Sequence, residues 1–188
     1  MTDQEAALVA MAERLEILRI PYIVIGGMAN AIWGEPRATL DVDVTVWVDD
    51  VEIPSVPERL ADQFSILPEH PVDFVRQTRV LPIETRAGVR IDLIFGMLPF
   101  EWTAIQRGVS QLVAGKPVRF CTAEDLILHK IISHRDRDLQ DVKAILHRLG
   151  PHLDRDYLEP RLQDLAEALE RPDIWSNYQT WLPKGKKE

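Results

Sequence analysis

The chain has 188 residues, enough for one domain with a proper core or a compact domain extended by a helical subdomain, and too few for two independent domains. Apolar residues make up 46% and charged residues 28%, which excludes general disorder, while a formal net charge of −8 opposes broad attraction to a polyanion such as DNA or RNA. The single cysteine, Cys121, excludes an intramolecular disulfide and a cysteine-based zinc cage, and reads as a buried strand residue.

Along the chain, Leu8, Met11, Leu15 and Leu18 recur at the spacing of an amphipathic helix over about 4–18. Tyr22 to Ile25 reads as a strand that ends at Gly26-Gly27, and Met28 to Trp33 as a short helix directly after those glycines. From Asp41 to Val48, carboxylate or Thr at 41, 43 and 45 alternates with Val at 42, 44 and 46, so the early polar groups share one strand face. Glu52 to Pro71 is proline-rich and weakly patterned, with one helix expected near Pro57 to Phe64. Val80 to Thr85 and Val89 to Phe95 read as strands joined through Arg86-Ala87-Gly88, and a further strand pair is expected around Gly115-Lys116. Thr122 reads as the N-cap of a helix, with Asp125 three residues on, and helices are expected near 123–134, 138–149, 155–170 and 173–181. The sum is an α/β (α+β) architecture: a short mixed sheet flanked by helices over 1–121, and a helical subdomain over 122–188 packed on that core.

Gly26-Gly27, then Asp41-Val42-Asp43, then Asp92 on a later strand form the central pattern. Ile91, Leu93 and Phe95 point opposite to Asp92, so if the two strands are neighbours the three acids converge. Carboxylates that close together are costly unless a cation neutralises them, and oxygen-only ligands point to Mg²⁺ or Mn²⁺. Two such ions can activate an attacking hydroxyl and stabilise leaving pyrophosphate. A diglycine turn lets backbone approach phosphates, and the helix after it offers N–H donors and a positive dipole end. The bland alternative is a structural turn beside a solvated acidic sheet face.

Those residues, with Asp92 inside Arg90-Ile91-Asp92-Leu93-Ile94, resemble the signature of the polymerase-beta-like nucleotidyltransferase superfamily. More narrowly, Arg37-Ala38-Thr39-Leu40-Asp41-Val42-Asp43 together with Glu124-Asp125-Leu126-Ile127-Leu128-His129-Lys130 is similar to the AbiEii/AbiGii-type nucleotidyltransferases, many of them toxin halves of toxin and antitoxin pairs. The match spans roughly 22 to 147 and weakens between 50 and 78. The resemblance implies transfer of a nucleoside monophosphate from an NTP to an acceptor, with Asp41, Asp43 and Asp92 as catalytic metal ligands and Gly26 and Gly27 at the triphosphate. It also implies Lys130 and Asp141 at the nucleotide. The family often has Gly-Ser where this chain has Gly-Gly, so backbone donors must meet the phosphate without a hydroxyl. The implied acceptor is RNA, particularly a tRNA 3′ end, and a cognate antitoxin is an implied partner. A protein hydroxyl, a small-molecule hydroxyl and an inactive binding module are the rivals.

Other residues carry weaker readings. Arg37 reads either as a fork of donors to triphosphate oxygens or as a surface arginine paired with Glu35. Thr39 reads either as orienting the metal-bearing turn or as an ordinary loop residue. Lys130 falls on the apolar seam of its helix, where it asks for an anion or snorkels to water. Asp125 reads as a cap and Asp138 as a helix start. His129, His134, His147 and His152 lack a metal-binding spacing, and the tryptophans are scattered as packing residues, with Trp33 a candidate flank for a nucleotide. The terminal Lys184-Gly185-Lys186-Lys187 reads as a solvated tail. No segment is apolar for the roughly 20 residues that span a bilayer, and the acidic start Met1-Thr2-Asp3-Gln4-Glu5 is unlike a secretory signal, so a cytoplasmic protein is expected.

Overall fold

The computed structural model describes residues 1–37, 39, 41–133 and 135–183, so His134, Ala38, Leu40 and the basic tail at 184–187 lie outside the described residues. Contacts divide the chain into two compact units, Met1–Met28 with Ala38–Cys121, and Ala29–Arg37 with Thr122–Glu188.

In the first unit, α1 (Asp3–Leu18) begins with a capping box, Thr2 accepting from the Glu5 amide while Glu5 reaches back to Thr2, and ends at Arg19 in the left-handed region. Its stripe of Leu8, Met11 and Leu15 is fully buried, each side chain contributing about 1.5–3 kcal/mol. The sheet contains β1 (Tyr22–Val24), β2 (Val42–Val46), β3 (Ser65–Ile66), β4 (Val80–Glu84), β5 (Arg90–Phe95), β6 (Val109–Val113) and β7 (Lys116–Phe120). Its seven strands run in the order β3-β4-β5-β2-β1-β7-β6, with β2·β5 and β1·β7 parallel and the remaining pairs antiparallel, a mixed sheet. Val42, Val44, Val46, Ile91, Leu93 and Phe95 form a buried face, and α1 packs on β2 and β7. The β4–β5 and β6–β7 connections turn through Gly88 at φ 78 and through Ala114 and Gly115 at φ 48 and 80, the positive angles that tight hairpins need.

Helix α2 (Gly26–Trp33) takes in both glycines as its first turn, two residues earlier than the sequence pattern starts it. Between β2 and β5 lie a 3₁₀ turn (Ile53–Ser55), α3 (Val56–Leu60), the short β3 and α4 (Pro71–Thr78), and α5 (Pro99–Arg107) follows β5. Helix α3 ends at Leu60, short of the expected Phe64; α4 and α5 were not anticipated. Helix α5 packs on β1 and β2 and covers the second face of β2 at its end, which is why Thr45, expected on a polar face, is fully buried.

The second unit is helical: α6 (Ala123–Ile131), α7 (Asp136–Leu149), α8 (Arg155–Ala168) and α9 (Pro172–Trp181). Thr122 caps α6 by accepting from the Asp125 amide, as the sequence indicates, and Asp125 is also buried, accepting from the Tyr157 hydroxyl at 2.6 Å. Among the described residues no helix is long and apolar enough to cross a membrane.

Candidate active site

The apolar residues of β2 and β5 that build the core also aim the acids. With Val42, Val44, Ile91 and Leu93 turned to the buried face, strand alternation sends Asp43 and Asp92 to the opposite one. The parallel register sets Asp43 directly beside Asp92, on strands that run about 4.8 Å apart. Pro82 of β4 continues the row on the other side of Asp92. Asp43 and Asp92 are half-buried, while Asp41 precedes β2 and is exposed.

Gly26 lies against this row. The Ile25 amide donates to the Asp43 carbonyl at 3.0 Å, and Gly26 takes φ +64, where a Cβ would fall 1.9 Å from Asp43 Oδ2. A Cβ on Gly27 would meet Thr39 Oγ1 at 2.6 Å, and that hydroxyl donates to the Asp41 carbonyl at 3.0 Å. Sequence reasoning reserved the bare glycine surface for phosphates. In the structure its Cα side carries Asp43 and Thr39, so the diglycine is required by the packing of the acid-bearing segment itself. The backbone N–H groups of the first turn of α2 are what a phosphate would use.

Arg90 is the residue that the sequence reading left without a role. Two positions before Asp92 on one strand face, its Nε donates to Asp92 Oδ1 at 2.9 Å. The hydrogen bond and charge of Asp92 raise Arg90 above its ordinary pKa; burial opposes this slightly, and the charges of Asp41 and Asp43 add to the rise. Its guanidinium therefore sits in a field to which Asp41, Asp43 and Asp92 all contribute. That field, and a donor set made only of carboxylate oxygen, suit a hard divalent cation. The acids are not drawn into a cage: among the described residues no group of three or more His, Cys, Asp or Glu is arranged to hold a metal ion. Arg90 supplies the neutralising charge at Asp92.

In the helical unit, Lys130 is 5% exposed and neither snorkels nor stands alone. Its ammonium donates to Asp138 Oδ1 at 2.8 Å and to Asp141 Oδ2 at 2.7 Å. Asp141 also accepts from Arg37 Nε and Nη2 at 3.2 and 2.9 Å, so the partner of Arg37 is Asp141 rather than Glu35. Arg37 Nη1 is buried without a hydrogen-bond partner among the described residues. Burial disfavours the charged form of Asp138, but hydrogen bonds from Lys130 and Ser133 and the charges of Lys130 and Arg135 outweigh it and hold its carboxyl below the ordinary value. Asp138 is thus a half-buried ion-pair partner as well as a first-turn residue of α7.

The model of a family described as nucleotidyltransferase of unknown function (DUF6036) matches residues 1–181. No curated protein matches the sequence. Among solved structures, the fold is similar to an antigenic nucleotidyltransferase-like protein from Paracoccidioides brasiliensis (TM-score 0.54, 17% identity, 94% of this chain and 92% of that one). It is also similar to the antibiotic-resistance factor ANT(2'')-Ia (TM-score 0.55, 16% identity, 88% and 93%). A third likeness is to the lincosamide antibiotic adenylyltransferase LnuA in its lincomycin-bound form (TM-score 0.50, 13% identity, 77% and 96%).

Proposed function

The chain belongs to that nucleotidyltransferase family, and from this premise we propose that it moves a nucleoside monophosphate from an NTP to an acceptor hydroxyl at Asp41, Asp43 and Asp92. The observation that carries the reading is the in-register pairing of Asp43 with Asp92 beside the Gly26 turn. In the step, the acceptor oxygen attacks the α-phosphorus and a new P–O bond forms. The bond from that phosphorus to the bridging oxygen breaks, and its electron pair leaves with pyrophosphate. Asp92 takes the hydroxyl proton. Asp41, Asp43 and Asp92 would hold Mg²⁺ or Mn²⁺, which when bound neutralises phosphate charge and polarises the electrophile.

The chain's own groups prepare that step. Backbone N–H groups at Gly26 and Gly27 receive triphosphate oxygens, and Thr39 fixes the segment leading to Asp41 through its carbonyl. Arg90 holds Asp92 in one orientation by donating to Oδ1, an oxygen for which a bound cation would compete. Arg37, Lys130 and Asp141 are kept as nucleotide-binding residues on the strength of the AbiEii-type resemblance.

The adenylyltransferase among the similar structures makes ATP the first donor to test. A tRNA 3′ end with a cognate antitoxin, as in toxin pairs, rests on the sequence resemblance, and AMP transfer to a partner protein is its rival. Incubating wild type and Asp43→Ala with each α-labelled NTP, Mg²⁺ and cell lysate tests the reading, with circular dichroism to check folding. Label should pass to an acceptor with wild type and fall at least about a hundredfold with the variant. Equal transfer by the folded variant sinks the mechanism, and nucleotide binding without turnover by wild type turns the protein into a regulator that keeps the fold.

A further inference from the structure

Strand β6 ends the strand order on one side of the sheet, and β7 is the only strand that pairs with it. We propose that this edge pairs antiparallel with the β6 edge of a second copy of the chain, about a two-fold axis through Gln111. The proposal concerns how the protein assembles and stands apart from the chemistry assigned to the acids.

The edge is open in its backbone. In an antiparallel ladder, pairs that exchange hydrogen bonds alternate with pairs that do not. Leu112 faces Pro117, which has no N–H, and Ser110 faces Arg119, whose N–H goes instead to the Tyr22 hydroxyl at 3.4 Å. Val109, Gln111 and Val113 therefore direct their backbone groups to β7, and the N–H and C=O groups of Ser110 and Leu112 point outward. Both residues are exposed, Leu112 at 75%. Edge strands that stay single carry a device against pairing: a charge, a proline, a bulge or very short length. The opposite edge has the last of these, since β3 is two residues long. Strand β6 has none of them. Val109-Ser110-Gln111-Leu112-Val113 contains no charge and no proline, and its register on β7 is unbroken over all five residues.

Symmetry selects the occupant. A two-fold axis through Gln111 sets Ser110 opposite Leu112 of the partner subunit, and Leu112 opposite Ser110 of the partner subunit. These are the residues whose groups point outward, so each pair exchanges both of its N–H···O bonds and the edge is satisfied along its whole length. Shifting the axis to Ser110 or to Leu112 leaves the other residue facing Gly108 or Ala114, outside the strand. A two-fold contact uses the same patch on both chains and closes on itself. With β3 too short to serve as a second joining edge, growth stops at two chains. Pairing over five residues buries less than a standard interface, so the dimer forms and dissociates with concentration.

Analytical ultracentrifugation of the full chain, from low to high micromolar concentration, tests the assembly. The mass should rise from that of one chain toward that of two. Ser110→Pro removes an outward N–H and none from the β7 ladder, so it should raise the dissociation constant at least about tenfold while circular dichroism stays that of wild type. Leu112→Lys, which sets a charge on the exposed edge, should do the same and carries the test if the proline variant misfolds. Cysteine cross-linking reads the register. At the axis the two Gln111 residues form a pair with Cα atoms about 4.5 Å apart, within disulfide range, whereas two Leu112 residues are diagonal neighbours roughly 7–8 Å apart. Under mild oxidation Gln111→Cys should give a covalent dimer and the more exposed Leu112→Cys should not, with the fully buried Cys121 silent in both. A single-chain mass at every concentration, a dimer that survives the folded edge variants unchanged, or cross-linking by Leu112→Cys as efficient as by Gln111→Cys overturns the proposal.

Discussion

Two glycines with positive φ separate the demand of a turn from the demand of the site. Gly26 (φ +64) would place a Cβ 1.9 Å from Asp43 Oδ2, whereas Gly88 (φ +78) has nothing within 4 Å of its Cβ position. Both Gly→Ala changes carry the left-handed backbone cost of roughly 1–2 kcal/mol. Only Gly26→Ala also pushes the Asp43 carboxylate aside, so it should abolish label transfer, while Gly88→Ala should lower the melting temperature and leave transfer intact. Equal activity of the two variants would detach Asp43 from the chemistry. Tyr178 offers a stability handle at the same scale. Burial pushes its hydroxyl up to about 12, helped by its hydrogen bond to Glu159 and the charge there. Between pH 10 and about 12 the unfolded chain loses this proton and the folded one keeps it, so stability falls as pH rises through that window. Tyr178→Phe should flatten that alkaline decline in pH-dependent urea melts. That Asp43 and Asp92 lie on the face opposite the core was legible residue by residue, because each occupies the polar phase of an apolar alternation. The partner of Arg37 was not, since Asp141 is distant in sequence and only folding chooses it over the nearby Glu35.

Helices α6 and α7 are joined by charge where most helix pairs are joined by hydrocarbon. Lys130 from α6 is enclosed by Asp138 and Asp141 of α7, all three largely out of water. Lys130→Met would leave the half-buried Asp138 without its cation and the buried Asp141 with Arg37 alone, at a cost of about 2 kcal/mol; denaturant melts should show it whatever happens to activity. The acid limb has a definite sign. The Asp138 carboxyl is held below its ordinary 3.8, so its contribution is complete above that pH and is lost as pH falls through the folded value. Asp138→Asn should therefore reduce the slope of stability against pH below 3.8, and an unchanged slope would mean that Lys130 does not hold its charge on Asp138. At this scale the sequence pattern located α1 and the C-terminal helices through their apolar stripes. It missed α4 and α5 because neither has one: α4 fully buries only Val75 and α5 only Ala104 and Ile105. Both begin with proline in their first turn, the signal that could have found them.

Sheet order decides how rigid the acid row is, and no local pattern specifies it. The alternation in β2 and β5 identified strands with one apolar face, but their adjacency follows from a parallel pairing across a long crossover that contains α3, β3 and α4. The outcome puts β2 at the middle of the seven-strand order and β5 beside it, with β3 and β6 at the edges. Residues flanking the acids, Val42, Val44, Ile91 and Leu93, have no solvent exposure, so β2 and β5 open only when the core does. Native-state hydrogen exchange should accordingly show the amides of Val44 and Leu93 exchanging through global unfolding, with strong denaturant dependence, and those of Ser65 and Ser110 through local opening with little. A site that must hold two carboxylates against their mutual repulsion needs such a platform, because movement of either strand is the cheapest way to relieve it. If Val44 and Leu93 exchange as readily as the edge strands, the acid row is a mobile surface, and the spacing of Asp43 and Asp92 cannot organise phosphoryl chemistry.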